Sequence, residues 1–394
     1  MDTKIFILRY PQKGIVTTNP SHINPSRIAV IRTSDRIAYK ACRRKWNWSS
    51  HLRQNLTSKE LGAPLWLGSA MHYALEDYHG INRYGSPDIS FRAYTEAFDT
   101  TYPGKVPMEW PEQKALGIDM MKYYVKWLED RDPLETYVHN GELQTEVTIK
   151  IEIPIDELRN ADRIRQRYDE VWYTMILDRV IIDEYDQLWL VEYKSAKAIS
   201  TTHLLLDPQI GVYVWGMRHK YTKPIAGIIY QQHKKARPSP GRILKNGEVS
   251  TAQMQATTHR LYRASLVAAY GLNSSNWPIK NVQYLNALAR EESEHSDEFI
   301  RRDFIQRNLS TGAAIEQQIL DEASEMLDPD LPIYPNQTRM CVQMCSFTGP
   351  CASMDDGGDW GYNLKFETEP RATNYDEWRA NLPEPQNFIR RINT

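Results

Sequence analysis

The sequence predicts an α/β protein in which a mixed central β-sheet is flanked by helices. Three observations lead to this fold class: helical spacing of apolar residues over the first third, strand-like alternation from about residue 143, and an order of helix, three strands, helix and strand along the middle. Apolar periods of 3.6 and 2 residues separate amphipathic helices from half-buried strands. Interleaved helices and strands favour helices packed on a sheet.

The composition is that of a globular chain without membrane segments. Of the 394 residues, 41% are hydrophobic and 11% aromatic, which is enough for a substantial core. No run approaches the roughly 20 apolar residues of a membrane-spanning helix, and the N-terminus lacks a signal-peptide pattern. We therefore expect a soluble, cytoplasmic protein with no membrane partner.

The net charge of −2 does not by itself indicate nucleic-acid binding, because such modules usually have a basic balance. Positive charge is concentrated in three stretches, at residues 43–45, 234–237 and 242–245. An enzyme that cuts DNA can concentrate positive charge locally and keep acidic metal ligands elsewhere. Each stretch taken alone is more often solvated surface charge, so both interpretations stay open.

The first third of the chain is predicted to be mainly helical. A lead-in segment at residues 1–32 precedes an N-terminal helical region at residues 33–135. Thr33 and Ser34 are candidate N-cap residues of its first helix, which contains Cys42. Apolar spacing predicts helices over residues 33–48, 67–78, 90–101 and 111–130.

The middle of the chain, residues 136–235, is the predicted α/β core. Alternation predicts a strand over residues 143–153, and a charged connector follows at 156–169. Two β-rich runs separated by a turn-like composition predict an antiparallel hairpin of residues 170–182 and 188–195. Pro208 begins a helix that ends near His219, and a further strand is predicted over residues 224–232.

The last third is predicted to be a C-terminal helical region, residues 236–351, followed by an irregular tail. A loop rich in Pro, Gly and Lys occupies residues 233–250, and helices are predicted near 251–271 and 296–327. The tail, residues 352–394, is rich in Asp, Gly, Asn and Pro, which favour turns over regular structure.

The predicted hairpin carries acidic and basic side chains in a chemically meaningful pattern. Asp178 lies in its first arm, while Glu192 and Lys194 lie two residues apart in the second and share one face. Two carboxylates offer the oxygen ligands that Mg²⁺ or Mn²⁺ prefers, and the Tyr193 carbonyl is a candidate third. A neighbouring lysine can orient an attacking water or stabilise a phosphorane-like transition state. A surface hairpin with alternating charge remains the alternative.

Two flanking helices add candidate site residues. His72 precedes the hairpin, and an imidazole is a common ligand of transition metals. Gln209 and Tyr213 follow it at a spacing of four residues, which places them on one helix face, able to orient Lys194 or to contact a phosphate or base. Each feature alone is more often ordinary helix surface or core.

Together these residues resemble the RecB-like branch of the PD-(D/E)XK nucleases. The resemblance covers roughly residues 34–351 and implies a restriction-endonuclease-like core. It implies that metal is bound by His72, Asp178 and Glu192. It also implies that Lys194 is the catalytic lysine and that Gln209 and Tyr213 complete the site. One departure is that this branch more often has Asp at the position of Glu192.

Four cysteines, Cys42, Cys341, Cys345 and Cys351, point to metal binding or catalysis, because disulfides are disfavoured in a cytosolic chain. Their arrangement resembles the iron–sulfur subfamily that includes AddB-type helicase–nucleases and CRISPR-associated iron–sulfur exonucleases. The resemblance implies a 4Fe-4S cluster that staples the first helix to the C-terminal segment. The first gap has three residues where the subfamily usually has two. Zn²⁺ is the alternative occupant, and free buried cysteines are the third interpretation.

The resemblance implies a metal-dependent DNA exonuclease that acts on single-stranded ends in recombination, repair or phage DNA processing. A helicase or recombination protein is the implied protein partner. Residues 230–262 resemble phage-encoded members, which would place the protein in a phage-infected bacterial cell. Two alternatives stay open: a non-catalytic iron–sulfur DNA-binding subunit, and a nuclease of CRISPR spacer acquisition.

Overall fold

The computed structural model describes residues 27–371, apart from residues 60–62, 81–84, 102–107, 130, 132, 205, 254, 296–298, 307–310, 340 and 343–344. Most of the predicted lead-in, residues 1–26, and the end of the predicted tail, residues 372–394, lie outside the described residues. Among the described helices, none combines the length and the apolar composition that crossing a bilayer requires.

Eleven strands occur in the part of the chain that the structure describes. They are β1 (Ile28–Arg32), β2 (Leu56–Ser58), β3 (Glu135–Thr136), β4 (Val138–His139), β5 (Glu142–Leu143), β6 (Thr145–Glu152), β7 (Glu170–Ile182), β8 (Leu188–Ala196), β9 (Ile225–Lys234), β10 (Ile300–Gln306) and β11 (Thr368–Pro370).

Twelve α-helices accompany these strands within the same described ranges. They are α1 (Thr33–Ala41), α2 (Arg43–Ser49), α3 (Ala63–His79), α4 (Pro87–Thr101), α5 (Trp110–Leu128), α6 (Ala161–Arg165), α7 (Pro208–Lys220), α8 (His259–Tyr270), α9 (Ile279–His295), α10 (Thr311–Met326), α11 (Thr348–Asp355) and α12 (Trp360–Glu367).

A mixed seven-stranded sheet organises the fold. Its path is β1-β7-β8-β9-β10, and β3 and β6 also pair with β7. The β1–β7 and β8–β9 pairs are parallel, whereas the β6–β7, β7–β8 and β9–β10 pairs are antiparallel. The predicted mixed sheet is thereby confirmed, as is the hairpin of β7 and β8.

Helices cover both faces of the sheet, and alternation along β8 shows why. Leu188 and Leu190 pack in a core shared with α1, α7 and α10. Trp189 and Val191 pack in a second core shared with α3, α4 and α5. Because successive strand residues point to opposite faces, one continuous apolar run can serve two helical layers.

The hairpin turn is fixed by Asp183. One of its carboxylate oxygens accepts hydrogen bonds from the backbone N–H groups of Tyr185 and Gln187, at 2.9 and 2.8 Å. The other accepts the indole N–H of Trp189 at 2.9 Å. This Asx-type turn sets the register that aligns the two arms.

The first predicted helix is interrupted at Cys42. Its N-cap residue is Arg32 rather than Thr33 or Ser34, α1 ends at Ala41, and α2 begins at Arg43. Cys42 has an extended backbone with φ −166°, and its sulfur accepts the Lys45 N–H at 3.5 Å, as an N-cap side chain does. The cysteine therefore lies at a corner between two helices.

Two predictions for the last third are wrong. The helix predicted over residues 296–327 is replaced in its first part by β10, whose Ile300 pairs with His233 of β9, and its later part contains α10. Non-local pairing with a buried neighbouring strand overrides local preference there. The tail predicted as irregular contains α12, capped by Asp359, and β11, which pairs with β2.

Candidate metal centre

The two arms of the hairpin separate at one point. β7 and β8 pair from the turn as far as Arg179 and Val191. Beyond these residues β7 continues along β1 and β6, whereas β8 continues along β9. Asp178 and Glu192 are the next residues in each arm, so both acids lie where the arms fork.

Both acids are buried at this fork. Asp178 is 8% exposed and Glu192 is 3% exposed. One Asp178 oxygen accepts the Tyr193 backbone N–H at 2.7 Å, and the other lies 3.2 Å from His72 Nδ1. One Glu192 oxygen accepts a hydrogen bond from the Lys194 ammonium. Among the residues that the structure describes, Glu192 Oε2 is buried without a hydrogen-bond partner.

The electrostatics of the fork reflect this crowding. Burial raises the pKa of Glu192 to about 7, and the negative charge of Asp178 also raises it, against an opposing effect of Lys194. Burial lowers the pKa of His72, but Asp178 and Glu146 more than offset it, so that pKa lies well above its ordinary value. A bound cation would displace these protons, because its ligands must be deprotonated.

Glu146 is a site residue that the sequence analysis missed. Its carboxylate lies 3.6 Å from His72 Nδ1, and one ligand atom each from His72, Glu146 and Asp178 fall within 4.8 Å of one another. Glu146, the second residue of β6, has φ +46°, a left-handed backbone conformation. Pairing with β7 is present on either side of it, at Thr145 and Val147. Such strain is costly for a residue other than glycine and concentrates at functional sites.

Lys194 is linked to α7. Its ammonium donates to Gln209 Oε1 at 3.4 Å, and Gln209 Nε2 donates to the Tyr213 hydroxyl at 2.6 Å. Asp207 caps α7 by accepting the Gln209 backbone N–H at 2.8 Å. Burial lowers the pKa of Lys194, but Glu192 and Asp178 raise it by more, so the lysine remains a cation.

The predicted site residues therefore converge, with one distinction. His72, Asp178, Glu192, Lys194, Gln209 and Tyr213 form one connected group. Tyr193 takes part through its backbone, since its phenol is engaged by Arg179 at 3.3 Å. Carboxylate and imidazole donors, with a buried carboxylate oxygen lacking a partner, fit a divalent cation such as Mg²⁺ or Mn²⁺.

The four cysteines gather where α1 and α2 meet the C-terminal segment, and all are partly buried. Burial raises the pKa of the Cys345 thiol, and the nearby thiols of Cys341 and Cys42 raise it further. Cys351 accepts a hydrogen bond from Arg44 Nη1 at 3.1 Å. Trp48 and Phe347 pack beside Cys345 and Cys351 and shield the group from one side.

Backbone N–H groups point at two of the four sulfur atoms. Backbone N–H groups of Asn336 and Thr338 lie 3.4 Å from Cys42 and Cys341, respectively. Hydrogen bonds to sulfur are a means by which proteins tune iron–sulfur clusters. Of these four described cysteines, no three place their Sγ atoms within 4.8 Å of one another.

The family model for the PD-(D/E)XK nuclease superfamily matches residues 34–352. The matched range contains every residue of the fork, Glu146 included, and all four cysteines. No curated protein matches the chain.

Proposed function

The chain belongs to the PD-(D/E)XK nuclease superfamily, and from this premise we propose that it is a Mg²⁺- or Mn²⁺-dependent DNA exonuclease of the RecB-like, iron–sulfur type. Membership in the superfamily supports a nuclease that acts on DNA. The observation that carries the finer proposal is the buried fork, where Asp178 and Glu192 adjoin His72 and a protonated Lys194.

We assign the metal to His72, Glu146, Asp178 and Glu192, with the Tyr193 carbonyl as a further ligand. When bound, the cation supplies a water of lowered pKa and offsets the charge of the phosphate. Asp178 is held for this role by its bond from the Tyr193 N–H. Glu192 Oε2 is buried and available for it.

Lys194 acts on the phosphate in this proposal. Its ammonium is held between Glu192 and Gln209, which restricts the flexible side chain before the substrate arrives. A fixed positive charge stabilises the negative charge that builds on the phosphate oxygens during attack. Gln209 in turn is held by Tyr213, so both act as positioning residues.

We assign a 4Fe-4S cluster to Cys42, Cys341, Cys345 and Cys351. The backbone N–H groups that Asn336 and Thr338 direct at two of the sulfur atoms support it. The cluster would join the corner between α1 and α2 to the segment after α10. A link between segments so distant in sequence restricts the unfolded chain more than a local one.

The proposed substrate is a single-stranded DNA end, in recombination, repair or phage DNA processing, beside a helicase or recombination protein. This choice rests on the sequence resemblance. A non-catalytic DNA-binding subunit is the second candidate, but a complete set of buried acids with a paired lysine favours catalysis. A role in CRISPR spacer acquisition would use the same chemistry.

A cleavage assay tests the proposal. Linear single-stranded, circular single-stranded and duplex DNA are incubated with the protein, with Mn²⁺ or with EDTA, beside a Lys194→Ala variant. We expect short products from linear single strands with Mn²⁺, and none from circles, from EDTA reactions or from the variant. Cleavage of circular DNA would show that the protein is an endonuclease and not an exonuclease. If the parent and Lys194→Ala cleaved equally well, catalysis at this site would be excluded.

A further inference from the structure

Two lysines emerge side by side where β8 and β9 end. The strands are parallel, and their register pairs Lys194 with Gln232 and Ala196 with Lys234. The pairing continues past the strand ends, where the Lys235 N–H donates to the Ala196 carbonyl at 2.7 Å. Lys197 follows Ala196 directly, so Lys197 and Lys235 occupy the same edge of the sheet.

This edge adjoins the catalytic lysine. Lys197 follows the last residue of β8 and lies three residues after Lys194, a stretch of chain that spans at most about 10 Å. A phosphate held there would be a neighbour of the one at Lys194 rather than the same one. β9 ends and β10 begins at this edge as well, since His233 pairs with Ile300.

The charges at this edge repel each other. Lys197 is exposed and Lys235 is partly buried. Burial lowers the pKa of Lys235, and the positive charge of Lys197 lowers it further. An anion beside two neighbouring ammonium groups offsets this repulsion.

Several arginines of the predicted basic stretches contact other parts of the molecule. Arg43 pairs with Glu325, and Arg44 pairs with Asp355 and contacts Cys351, so residues 43–45 serve the cysteine corner. Arg237, next to Lys235 in sequence, pairs with Asp119 of α5 at 2.7 Å. Lys197 and Lys235 add positive charge at the end of the sheet beside the fork.

We propose that Lys197 and Lys235 form a phosphate-binding subsite for the DNA strand, adjacent to the catalytic lysine. The subsite rests on the proposed function and deepens it, because it specifies the direction along the sheet in which the bound strand extends. Its occupant is the backbone of single-stranded DNA. The subsite recognises the charge of the DNA backbone and not the base sequence, because phosphates are common to all nucleotides.

Salt-dependent binding tests the subsite without cleavage. A fluorescein-labelled single-stranded oligonucleotide is titrated in EDTA at several salt concentrations, with the parent, Lys197→Gln and the double variant Lys197→Gln/Lys235→Gln. Each lost phosphate contact should make the slope of log K against log salt shallower by about 0.7 for a single strand. We expect a change of about 0.7 for the single variant and about 1.4 for the double variant.

Lys223→Gln is the matched control. Lys223 pairs with Asp186 at the hairpin turn, the opposite end of β8, so its removal should leave the slope unchanged. A double variant with the parent's slope would overturn the subsite, and so would a parent that does not bind the oligonucleotide. Lysine-dependent binding by a protein that cleaves nothing would retain the subsite and refute the nuclease.

Discussion

The Tyr193 backbone N–H donates to the Asp178 carboxylate at 2.7 Å, across the point where β7 and β8 part. The carboxylate takes the place of the backbone carbonyl that would accept the next hydrogen bond between the strands. Its second oxygen lies 3.2 Å from His72 Nδ1. One side chain thereby satisfies a backbone donor and offers a metal ligand. A carboxylate that accepts a backbone hydrogen bond is also fixed in orientation before any cation binds.

Removing either charge from the fork should stop cleavage. We expect Asp178→Asn and Lys194→Ala to reduce the rate of DNA hydrolysis by at least about 10²–10³-fold, since each group acts on developing charge. Asp178→Asn keeps an oxygen that can accept the Tyr193 N–H, so its melting temperature should stay near that of the parent. Lys223→Ala, far from the fork, is the control and should cleave normally. Parent-like activity in either site variant contradicts the assignment.

Two substitutions of Glu146 should have the same effect on metal affinity and different effects on stability. Glu146→Ala and Glu146→Gly both remove a carboxylate beside His72, so calorimetry should show Mn²⁺ binding about 10–100-fold weaker in both. Glycine adopts φ +46° without the penalty that alanine has there. Glu146→Gly should therefore be more stable than Glu146→Ala by about 1 kcal/mol in denaturant unfolding. Equal stabilities would show that the left-handed conformation costs nothing.

The buried Glu192 predicts a pH-dependent stability. Its pKa is about 7 in the folded protein against 4.5 ordinarily, so the fold favours the protonated form. This contribution to the free energy of unfolding is complete below pH 4.5 and is lost as the pH rises through 7.

The free energy of unfolding of metal-free Glu192→Gln, relative to that of the parent, should therefore increase as the pH rises. We expect an increase on the order of 1–3 kcal/mol at pH 8, measured by urea unfolding in EDTA. The parent's Mn²⁺ affinity should rise from pH 6 to pH 8, because binding displaces protons. A constant difference in stability between pH 4.5 and 8 would contradict the raised pKa.

Two glycines in helices predict stability changes of opposite sign. A Cβ at Gly117 of α5 would overlap the buried ring of Phe91 on α4. Overpacking of about 1–3 kcal/mol should outweigh the gain in helix propensity, so Gly117→Ala should be destabilised. A Cβ at Gly211 of α7 meets the flexible end of Ile315 at 2.9 Å. Gly211→Ala should be neutral or stabilised by up to about 1 kcal/mol, and thermal melting of both variants tests the comparison.

The cysteine corner predicts iron in the purified protein. Anaerobically purified parent should be brown and contain about four irons per chain, as four thiolates ligate one 4Fe-4S cluster. Cys42→Ser should lose iron and melt at a lower temperature, because α1–α2 loses its link to the C-terminal segment. Zinc without iron in elemental analysis would establish the alternative occupant, and an unchanged melting temperature of Cys42→Ser would contradict the staple.

The sequence predicted the fork because its residues lie on elements with strong local signals. The alternation of β7 and β8, the turn at Asp183 and the Pro208 start of α7 are local, and they carry Asp178, Lys194 and Gln209. Their order along the chain then linked them to His72. The predicted roles of these residues are tested by the variants above.

Glu146 and β10 show what local signals omit. Glu146 alternates with Val147 and Ile149 as an ordinary solvent-facing strand residue would, and the left-handed turn of its backbone leaves no compositional trace. β10 has the sequence IRRDFIQ, in which charges interrupt the apolar residues, and it is strand because β9 offers an edge. Both outcomes depend on contacts between distant segments.

Thr368 of β11 pairs with Ser58 of β2, and Trp48 is covered by Phe347 and Leu364. The partners of these N-terminal residues lie roughly 300 residues further along the chain. At about 5–20 residues per second, the ribosome synthesises them about 15–60 s later. A chain that stops before Cys341 would carry every residue of the fork but would lack the Phe347 and Leu364 side chains that cover Trp48. Premature termination would then yield a less stable product that still has the fork residues, so the stability of the chain depends on completion of its synthesis.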